Sequence, residues 1–372
     1  MNSKIKILHI IKSLGRGGAE MLLPETLKLH NKEVFEFHYI YFLPWKDQMV
    51  ESLQNNEGTV VCFSANNNIQ MLLRIRDVVG YVRSQGIQVI HAHLPWAGIV
   101  ARQVGRVTGI PVLYTEHNKQ ERYHILTRWM NLATMSQLTH VIAVSRDVEE
   151  SIRKNKPGLR VPLDVVLNGV NVDHFVPHQQ QNYNAVKASF SIPPDAPVIG
   201  TIAVFRFQKR LDLWMELAAA ILKKIPQAHF IIVGDGPLKD KLIEKREALG
   251  LNSRIHLAGL QTEVRPYLAA FDIYMMSSIF EGLPIALLEA MASGCPVIST
   301  DAGGVKEVID HEKDGLICSV DDAKQLIDFA VRLIGNDQYR KTMGLAGREK
   351  IIRLFSMQKM VAELEVIYRK YA

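Results

Sequence analysis

Cysteine is scarce in this chain, and none of it is arranged to bind a metal or to build a disulfide framework. Cys62, Cys295 and Cys318 are odd in number and far apart, with no CxxC pair and no Cys/His cluster. That pattern excludes a zinc site of the usual spacing and fits reduced thiols in a cytoplasmic chain. Cys295 and Cys318 are flanked by apolar residues, so buried packing is expected of both. Long apolar runs are lacking too. No stretch approaches the ~20 residues of a membrane span, and the opening run through Ile11 is too short for a signal sequence and reads directly into a strand. Charge of one sign is also in short supply. The net charge is only +6, with most of the excess in the first half, so nothing calls for nucleic acid as a partner. A mildly basic first half suits an anionic membrane surface or a phosphate-bearing acceptor, and simple solubility equally well. Internal repeats, low-complexity segments and an Asp-x-Asp element of the kind that holds Mg²⁺ on a diphosphate are absent as well.

What is present is length and alternation. With 372 residues, two domains are expected rather than one. Short β-branched runs at 4–11, 37–43, 59–63, 89–92, 112–115, 141–144 and 165–167 alternate with helical patterns near 68–84, 97–108, 121–137 and 146–154. Residues 173–197, rich in Gln, Asn and Pro, break the pattern. It restarts with strands at 198–203, 230–233, 255–257, 273–276, 297–299 and 316–318, and ends in helices near 322–335, 338–353 and 357–371. Continuous apolar strands between helices indicate parallel sheets covered on both faces. The expected fold is α/β, two Rossmann-like domains whose parallel sheets face across a cleft. The N-terminal domain is placed at 1–177, a linker at 178–197, the second domain at 198–354, and a last helix, 355–372, is expected to cross back. Ligands of such sheets bind beyond the strand C-termini, so the cleft is the expected site.

The most informative stretch is Ile279-Phe280-Glu281-Gly282-Leu283-Pro284-Ile285-Ala286-Leu287-Leu288-Glu289. Pro284 suits the first position of a helix, and Gly294 with Pro296 suits its end. Glu281 then precedes the helix, Glu289 rides on it two turns later, and free N–H groups between them form an anion site. A polyol joined to a phosphate fits that geometry, which describes a nucleotide sugar. The alternative is two solvated glutamates flanking a buried helix. At a separation of about 11 Å the pair cannot act as the carboxylates of a retaining glycosidase, which stand about 5 Å apart.

Other candidates fall at strand ends. Gly15-Arg16-Gly17-Gly18 follows the first strand and opens a helix, where glycines let backbone N–H groups approach a phosphate. It lacks the third glycine and the downstream acid of a dinucleotide fingerprint, so a nicotinamide cofactor is poorly supported. His91, His93, then Glu116-His117-Asn118 end two further strands, without metal-ligand spacing. Arg206, Lys209 and Arg210 follow the first strand of the second domain and are placed to neutralise a diphosphate leaving group. Gly234-Asp235-Gly236-Pro237 is a turn that can hold a nucleobase against backbone groups. The helix near 121–137 mixes basic and aromatic residues. Either Leu126 and Trp129 pack into the core of an ordinary domain helix, or they face a membrane interface and a lipid-linked acceptor.

Together these motifs resemble retaining glycosyltransferase family 4, of GT-B architecture, over nearly the whole chain. The resemblance rests on Gly15 to Glu20, Asn168-Gly169-Val170-Asn171-Val172-Asp173-His174-Phe175, Val233 to Pro237, the eight-residue interval from Glu281 to Glu289, the run from Pro296 to Ile309, and Asp314-Gly315-Leu316. It implies that Glu281 contacts the donor sugar and that the backbone of Gly282, Leu283, Pro284 and Ile285 holds hydroxyls and phosphate. It further implies that Glu289 takes the ribose, that Arg206 and Lys209 grip the diphosphate, and that Gly236 lies at the nucleotide. Gly17 and Gly18 would approach the donor from the first domain, and His117 would touch the sugar near the reacting centre. His93, Asn118 and Arg16 are the acceptor-side candidates. The family's usual Arg, about five residues ahead of the Lys, is here Val204, so Arg206 substitutes.

The implied activity is retaining, metal-independent transfer of a hexosyl unit from a nucleotide diphosphate sugar to a glycan or lipid-linked acceptor. Bacterial surface polysaccharide or glycolipid synthesis is its expected setting, in the cytoplasm or at the inner face of the membrane, as a peripheral contact. No cofactor and no metal are expected beyond the donor itself, and its base and sugar stay open. Two rivals share the fold: a nucleotide-sugar epimerase, which would act without an acceptor, and a non-catalytic nucleotide-sugar-binding subunit.

Overall fold

The computed structural model describes residues 4–177 and 181–372, so residues 178–180 of the expected linker lie outside the described residues. The chain packs as two units. One comprises the residues up to Asn168 together with Met357–Ala372, and the other is Gly169–Ser356.

The first unit holds a seven-stranded sheet of β1 (Ile5–Ile10), β2 (Phe35–Tyr41), β3 (Thr59–Cys62), β4 (Val89–His93), β5 (Val112–Glu116), β6 (His140–Ala143) and β7 (Leu163–Val165). Their order is β3-β2-β1-β4-β5-β6-β7, and every pair is parallel. The second unit has β8 (Val198–Ile202), β9 (His229–Val233), β10 (Ile255–Gly259), β11 (Ile273–Met276), β12 (Val297–Thr300) and β13 (Leu316–Cys318). These run β10-β9-β8-β11-β12-β13, again all parallel. Strands such as β9 and β11 are buried at every residue, which is why they read as unbroken apolar runs rather than alternations. In each sheet the strand order reverses once, between β1 and β4 and between β8 and β11. Those switch points are where α/β sheets open a crevice at the strand C-termini.

Most expected elements are found within a residue or two. The pattern near 68–84 is two helices, Asn68–Leu73 and Ile75–Gln85. The helix expected at 121–137 is shorter, Ile125–Thr134, set between single turns of 3₁₀ helix at Gln120–Arg122 and Met135–Gln137. Its start is fixed by His124, whose backbone is extended and whose ring accepts from the Leu126 N–H. Much of the stretch read as a linker is structured. Helix Gln181–Ser189 packs against helix Arg265–Ala270 in the second unit, and Lys187 Nζ donates to the carbonyls of Pro194 and Ala196.

The last helix, Met357–Tyr371, belongs to the first unit and packs on helix Gly18–Leu29. Met360, Leu364, Ile367 and Tyr368 on its inner face are buried, a helical spacing that matches one apolar stripe. In the second unit the core is centred on Trp214, fully buried, with its indole N–H donating to the Met275 carbonyl at 2.9 Å. Cys295 and Cys318 are buried free thiols, and burial raises the pKa of both.

Candidate active site

In the second unit, the loop leaving β8 turns through Arg206 and a 3₁₀ turn, Phe207–Lys209, before helix Leu211–Lys224. Arg210, at the joint, has φ of 48°, a left-handed conformation that a non-glycine residue adopts only when its surroundings impose it. Ser277 imposes part of it, donating to the carbonyls of Lys209 and Arg210. The loop leaving β11 lies alongside, since the Ile279 N–H donates to the Gln208 carbonyl at 2.8 Å. This brings Lys209 and Glu281, 72 residues apart, into contact. Lys209 Nζ donates to Glu281 Oε1 at 2.6 Å, and Ser278 Oγ donates to the same oxygen at 2.6 Å. Arg206 is exposed, and among the described residues its guanidinium has no ion-pair partner.

Close backbone approaches fix both loops. A Cβ on Gly304 would lie 2.0 Å from the Gly282 carbonyl oxygen, which accepts instead from the Gly304 N–H at 3.1 Å. A Cβ on Gly236 would meet the Phe205 backbone at 2.7 Å, so the turn after β9 packs directly on the loop that carries Arg206. Pro284 is the cap of helix Ile285–Ala292 with extended backbone, not its first residue as expected. The first-turn N–H groups of Ile285 and Ala286 have no carbonyl behind them in the helix. Glu289 lies on this helix, only 9 % exposed. Tyr274, buried on β11, senses both glutamates: burial, then the charges of Glu281 and Glu289, raise its pKa.

In the first unit, Gly17 caps helix Gly18–Leu29. Glu20, at the third helical position, folds its carboxylate over that cap. A Cβ on Gly17 would meet Glu20 Oε2 at 2.2 Å, and Ser13 Oγ donates to the other oxygen at 3.1 Å. The place expected for a donor phosphate therefore carries a carboxylate of the chain itself. Arg16 is partly exposed.

The loop after β5 is organised by Glu116, which is fully buried. Its carboxylate accepts from the Tyr114 hydroxyl at 2.7 Å, Gln120 Nε2 at 2.6 Å, Asn131 Nδ2 at 3.2 Å and the N–H groups of His117 and Asn118 at 3.0 and 3.3 Å. The Tyr123 hydroxyl donates as well. Burial raises the pKa of Glu116, against the pull of these bonds. His117 is thus held by its own backbone at the end of the sheet, partly exposed, with burial bringing its pKa down to about 4. Asn118 donates from Nδ2 to the Tyr123 hydroxyl at 3.5 Å.

His93 departs from its expected acceptor-side role. It is buried, and both ring nitrogens are engaged, Nε2 with His9 Nδ1 at 2.9 Å and Nδ1 with His117 Nε2 at 3.3 Å. The core placement of Leu126 and Trp129 is also overturned. Both are exposed, at 54 % and 66 %, as is Ile125 at 70 %, because the opposite face of that helix carries Asn131 into the Glu116 network. His9 was not among the sequence candidates, and Glu116 was named beside His117 without a role of its own. An acid at the end of an otherwise buried strand was the available signal for Glu116, and nothing local marked His9. A depression of about 450 Å³ in the second unit, lined by Lys187, Asp195, Gln227, Asp272 and Arg340, opens at the N-terminal ends of strands. It is the wrong end of the sheet for a ligand site, and its Arg340 is already paired with Asp272 and Asp337.

Two families match this chain: Glycosyltransferase Family 4 over residues 17–174 and Glycosyl transferases group 1 over residues 182–350. An Escherichia coli UDP-Gal:alpha-D-GlcNAc-diphosphoundecaprenol alpha-1,3-galactosyltransferase is 24% identical, covering 99% of this chain and 97% of its own. The Bacillus anthracis N-acetyl-alpha-D-glucosaminyl L-malate synthase is 31% identical over 51% of this chain and 49% of its own. Among solved structures, Anabaena HepE in complex with UDP and glucose superposes with a TM-score of 0.88 at 19% identity, covering 98% of this chain and all of that one.

Proposed function

The chain belongs to the group 1 and family 4 glycosyltransferases of GT-B fold, and from that membership we propose retaining, metal-independent transfer of a sugar from a nucleotide diphosphate sugar to a glycan or lipid-linked acceptor. The observation that carries the reading is the contact of Lys209 with Glu281 at 2.6 Å beside exposed Arg206, at the switch point of the second sheet. A carboxylate that orders sugar hydroxyls stands there next to cations that suit a diphosphate. Glu289, recessed two turns along the helix, suits the ribose. As the bond from the anomeric carbon to the phosphate oxygen breaks, charge grows on the leaving group. Lys209, Arg206 and the N–H groups of Ile285 and Ala286 stabilise that charge, work a divalent cation does elsewhere. The acceptor oxygen bonds to the same face of the sugar, and its proton passes to the departing phosphate. UDP is the first nucleotide to try, since the full-length E. coli relative is named for UDP-Gal. Surface polysaccharide or glycolipid synthesis is the proposed setting.

The experiment is transfer from a panel of UDP-hexoses to lipid-linked and free glycan acceptors, with the product anomer read by NMR. The donor's anomeric configuration is expected in the product, and activity is expected to persist in excess EDTA. Inversion removes the retaining mechanism. Complete loss in EDTA, restored by Mg²⁺ or Mn²⁺, removes the metal-free diphosphate site. Donor turnover with no acceptor present favours an epimerase.

No helix among the described residues is long and apolar enough to cross a membrane. For a lipid-linked acceptor, the exposed face of helix Ile125–Thr134, with Ile125, Leu126 and Trp129 beside Arg122, suits the headgroup region of an anionic bilayer. Co-sedimentation with phosphatidylglycerol vesicles should exceed that with phosphatidylcholine and fall in Trp129→Glu. Equal binding by both proteins removes this contact.

A further inference from the structure

We infer that His93, backed by His9, is a positioning residue that holds His117 with its proton on Nδ1, so that His117 serves the reaction as a hydrogen-bond donor and not as a base. The role given to His117 rests on the functional reading above, whereas the tautomer itself does not.

The three rings form a chain. Register places them together, with His9 opposite His91 across β1 and β4, and His93 opposite Thr115 across β4 and β5, one turn of pleat before His117. The His9 and His93 rings are nearly parallel, at 12°, with centroids 5.2 Å apart. That separation is what a 2.9 Å N···N contact leaves when one ring radius is added at each end, so the rings meet edge to edge with the nitrogens between them. His93 and His117, at 5.6 Å and 38° with N···N of 3.3 Å, meet in the same way. Each link therefore needs one N–H and one lone pair.

A neutral imidazole supplies one of each, so the chain has only two polarities. All N–H groups point toward His117, or all point toward His9. Burial lowers the pKa of His9 and His93 well below 6.5 and that of His117 to about 4, which keeps the chain neutral at pH 7. The far end decides between the polarities. His9 Nε2 is buried with no hydrogen-bond partner. If the chain pointed toward His9, a buried N–H would be stranded there. In the other polarity only a lone pair is left over, which proteins tolerate better. The cavity of about 20 Å³ that His9, His93 and His117 line is walled largely by apolar side chains such as Leu22, Leu23, Ile142 and Val144. Its other polar groups are already engaged, Thr26 with the Leu23 carbonyl, Thr115 with His91, and His91 with Tyr368 as well, so it offers a water few partners. So His9 donates to His93, His93 donates to His117 Nε2, and the remaining proton of His117 is on Nδ1.

Two features hold His93 to this task. His91 packs against its ring, with centroids 4.3 Å apart, and is itself fixed by Tyr368 and Thr115 through both nitrogens. Leu94, the next residue, has φ 69° and ψ 158°, a backbone region nearly reserved for glycine and kept only under constraint. A metal ion on His9, His91 and His93, whose nitrogens lie within 4.8 Å of one another, would have to break these contacts. The nitrogens of His91 are both taken, and those linking His9 and His93 face each other. A His117 bound through Nε2 and protonated on Nδ1 has no lone pair for the acceptor's proton, which leaves the departing phosphate to take it.

The test is long-range ¹H–¹⁵N correlation on the full chain with ¹⁵N-labelled histidine at pH 7.5, with His117 assigned by its loss in His117→Gln. The wild type is expected to show His117 protonated on Nδ1. In His93→Phe that pattern should give way to the Nε2–H form or a mixture, with kcat at least about tenfold lower. His93→Asn keeps an N–H where Nδ1 stood, and should restore both the Nδ1–H pattern and most of kcat. His117 protonated on Nε2 in the wild type overturns the inference, even if no variant folds. An unchanged tautomer in folded His93→Phe, or stoichiometric Zn²⁺ uptake that is lost in His9→Phe, also overturns it. Tautomers as expected with kcat unmoved in every variant would uphold the tautomeric assignment and remove His117 from the functional reading instead.

Discussion

Both sheets reverse their strand order at equivalent places, between β1 and β4 and between β8 and β11, yet the groups gathered there differ in kind. The second unit assembles full charges on loops, Lys209 against Glu281 with Arg206 exposed beside them, and sets Glu289 behind them on a helix. The first unit assembles neutral rings that run from buried His9 and His93 out to partly exposed His117, and one buried carboxylate, Glu116, with six donors around it. Partly exposed charges can exchange partners when a charged ligand arrives, because water and counter-charges screen what is left behind. Buried polar groups cannot, since each lost partner is an unpaid desolvation. The second site is therefore suited to receive and release a diphosphate, and the first to hold one side chain in one state. Removing Glu281 or Lys209 should slow the reaction with the fold kept, whereas removing Glu116 should loosen the fold of the first unit.

The largest effect is expected at Glu281. Glu281→Ala should abolish measurable transfer, at least about two decades in kcat, while circular dichroism and the melting midpoint stay near wild type. Turnover within a few-fold of wild type with a verified donor would end the contrast at its charged end. Next comes Glu116→Ala in the first unit. Leaving Tyr114, Tyr123, Gln120 and Asn131 without their acceptor should cost about 3 kcal/mol or more, read as a drop in protection of the first unit in hydrogen exchange. A loss below about 1 kcal/mol would mean the network is ornamental to stability.

The smallest effect separates the units by pH. His117, His9, His91 and His93 have pKa values lowered chiefly by burial, to about 4 for His117. Between there and 6.5 the unfolded chain binds more protons than the folded one, so stability is fully present above about pH 6.5 and is lost as pH falls toward 4. Glu116, with a raised pKa, works the other way and offsets part of this loss as it protonates. Among the described histidines of the second unit, only His229 and His256 have lowered values. Hydrogen exchange at pH 5, corrected for intrinsic rates, should show the first unit opening before the second. The reverse order would contradict the assignment of buried neutral histidines to the first unit.

How far each site was legible in the sequence follows the same division. Glu281, Pro284 and Glu289 lie in one stretch, so turn, cap and helix could be read from spacing alone, with an error of one residue at Pro284. The strands of both sheets were legible because burial on both faces leaves unbroken apolar runs. The Lys209–Glu281 contact joins loops 72 residues apart, and only the adjacency of β8 and β11 brings it about. The histidine chain is drawn from β1, β4 and β5, with Tyr368 near the end of the chain fixing His91. No local pattern encodes it, apart from His91 and His93 alternating on a wholly buried strand, where period two places both on one face. The exposure of Trp129 was not legible because the helix carrying it is amphipathic in an unexpected sense, with a polar residue, Asn131, on the buried side.

The role proposed for the loop after β8 is to neutralise a leaving diphosphate, and Lys209→Ala removes the cation that would do so. Charge-assisted contacts of this kind contribute roughly 1.5–3 kcal/mol each, about one to two decades in rate if realised in the transition state. The measurement is single-turnover transfer beside calorimetric binding of UDP, in Lys209→Ala and in Arg206→Ala. Turnover lowered ten- to a hundredfold, with binding of the nucleotide weakened by less, is the predicted result. A Lys209→Ala protein that transfers sugar within twofold of wild type would contradict it and withdraw the diphosphate site from the second unit.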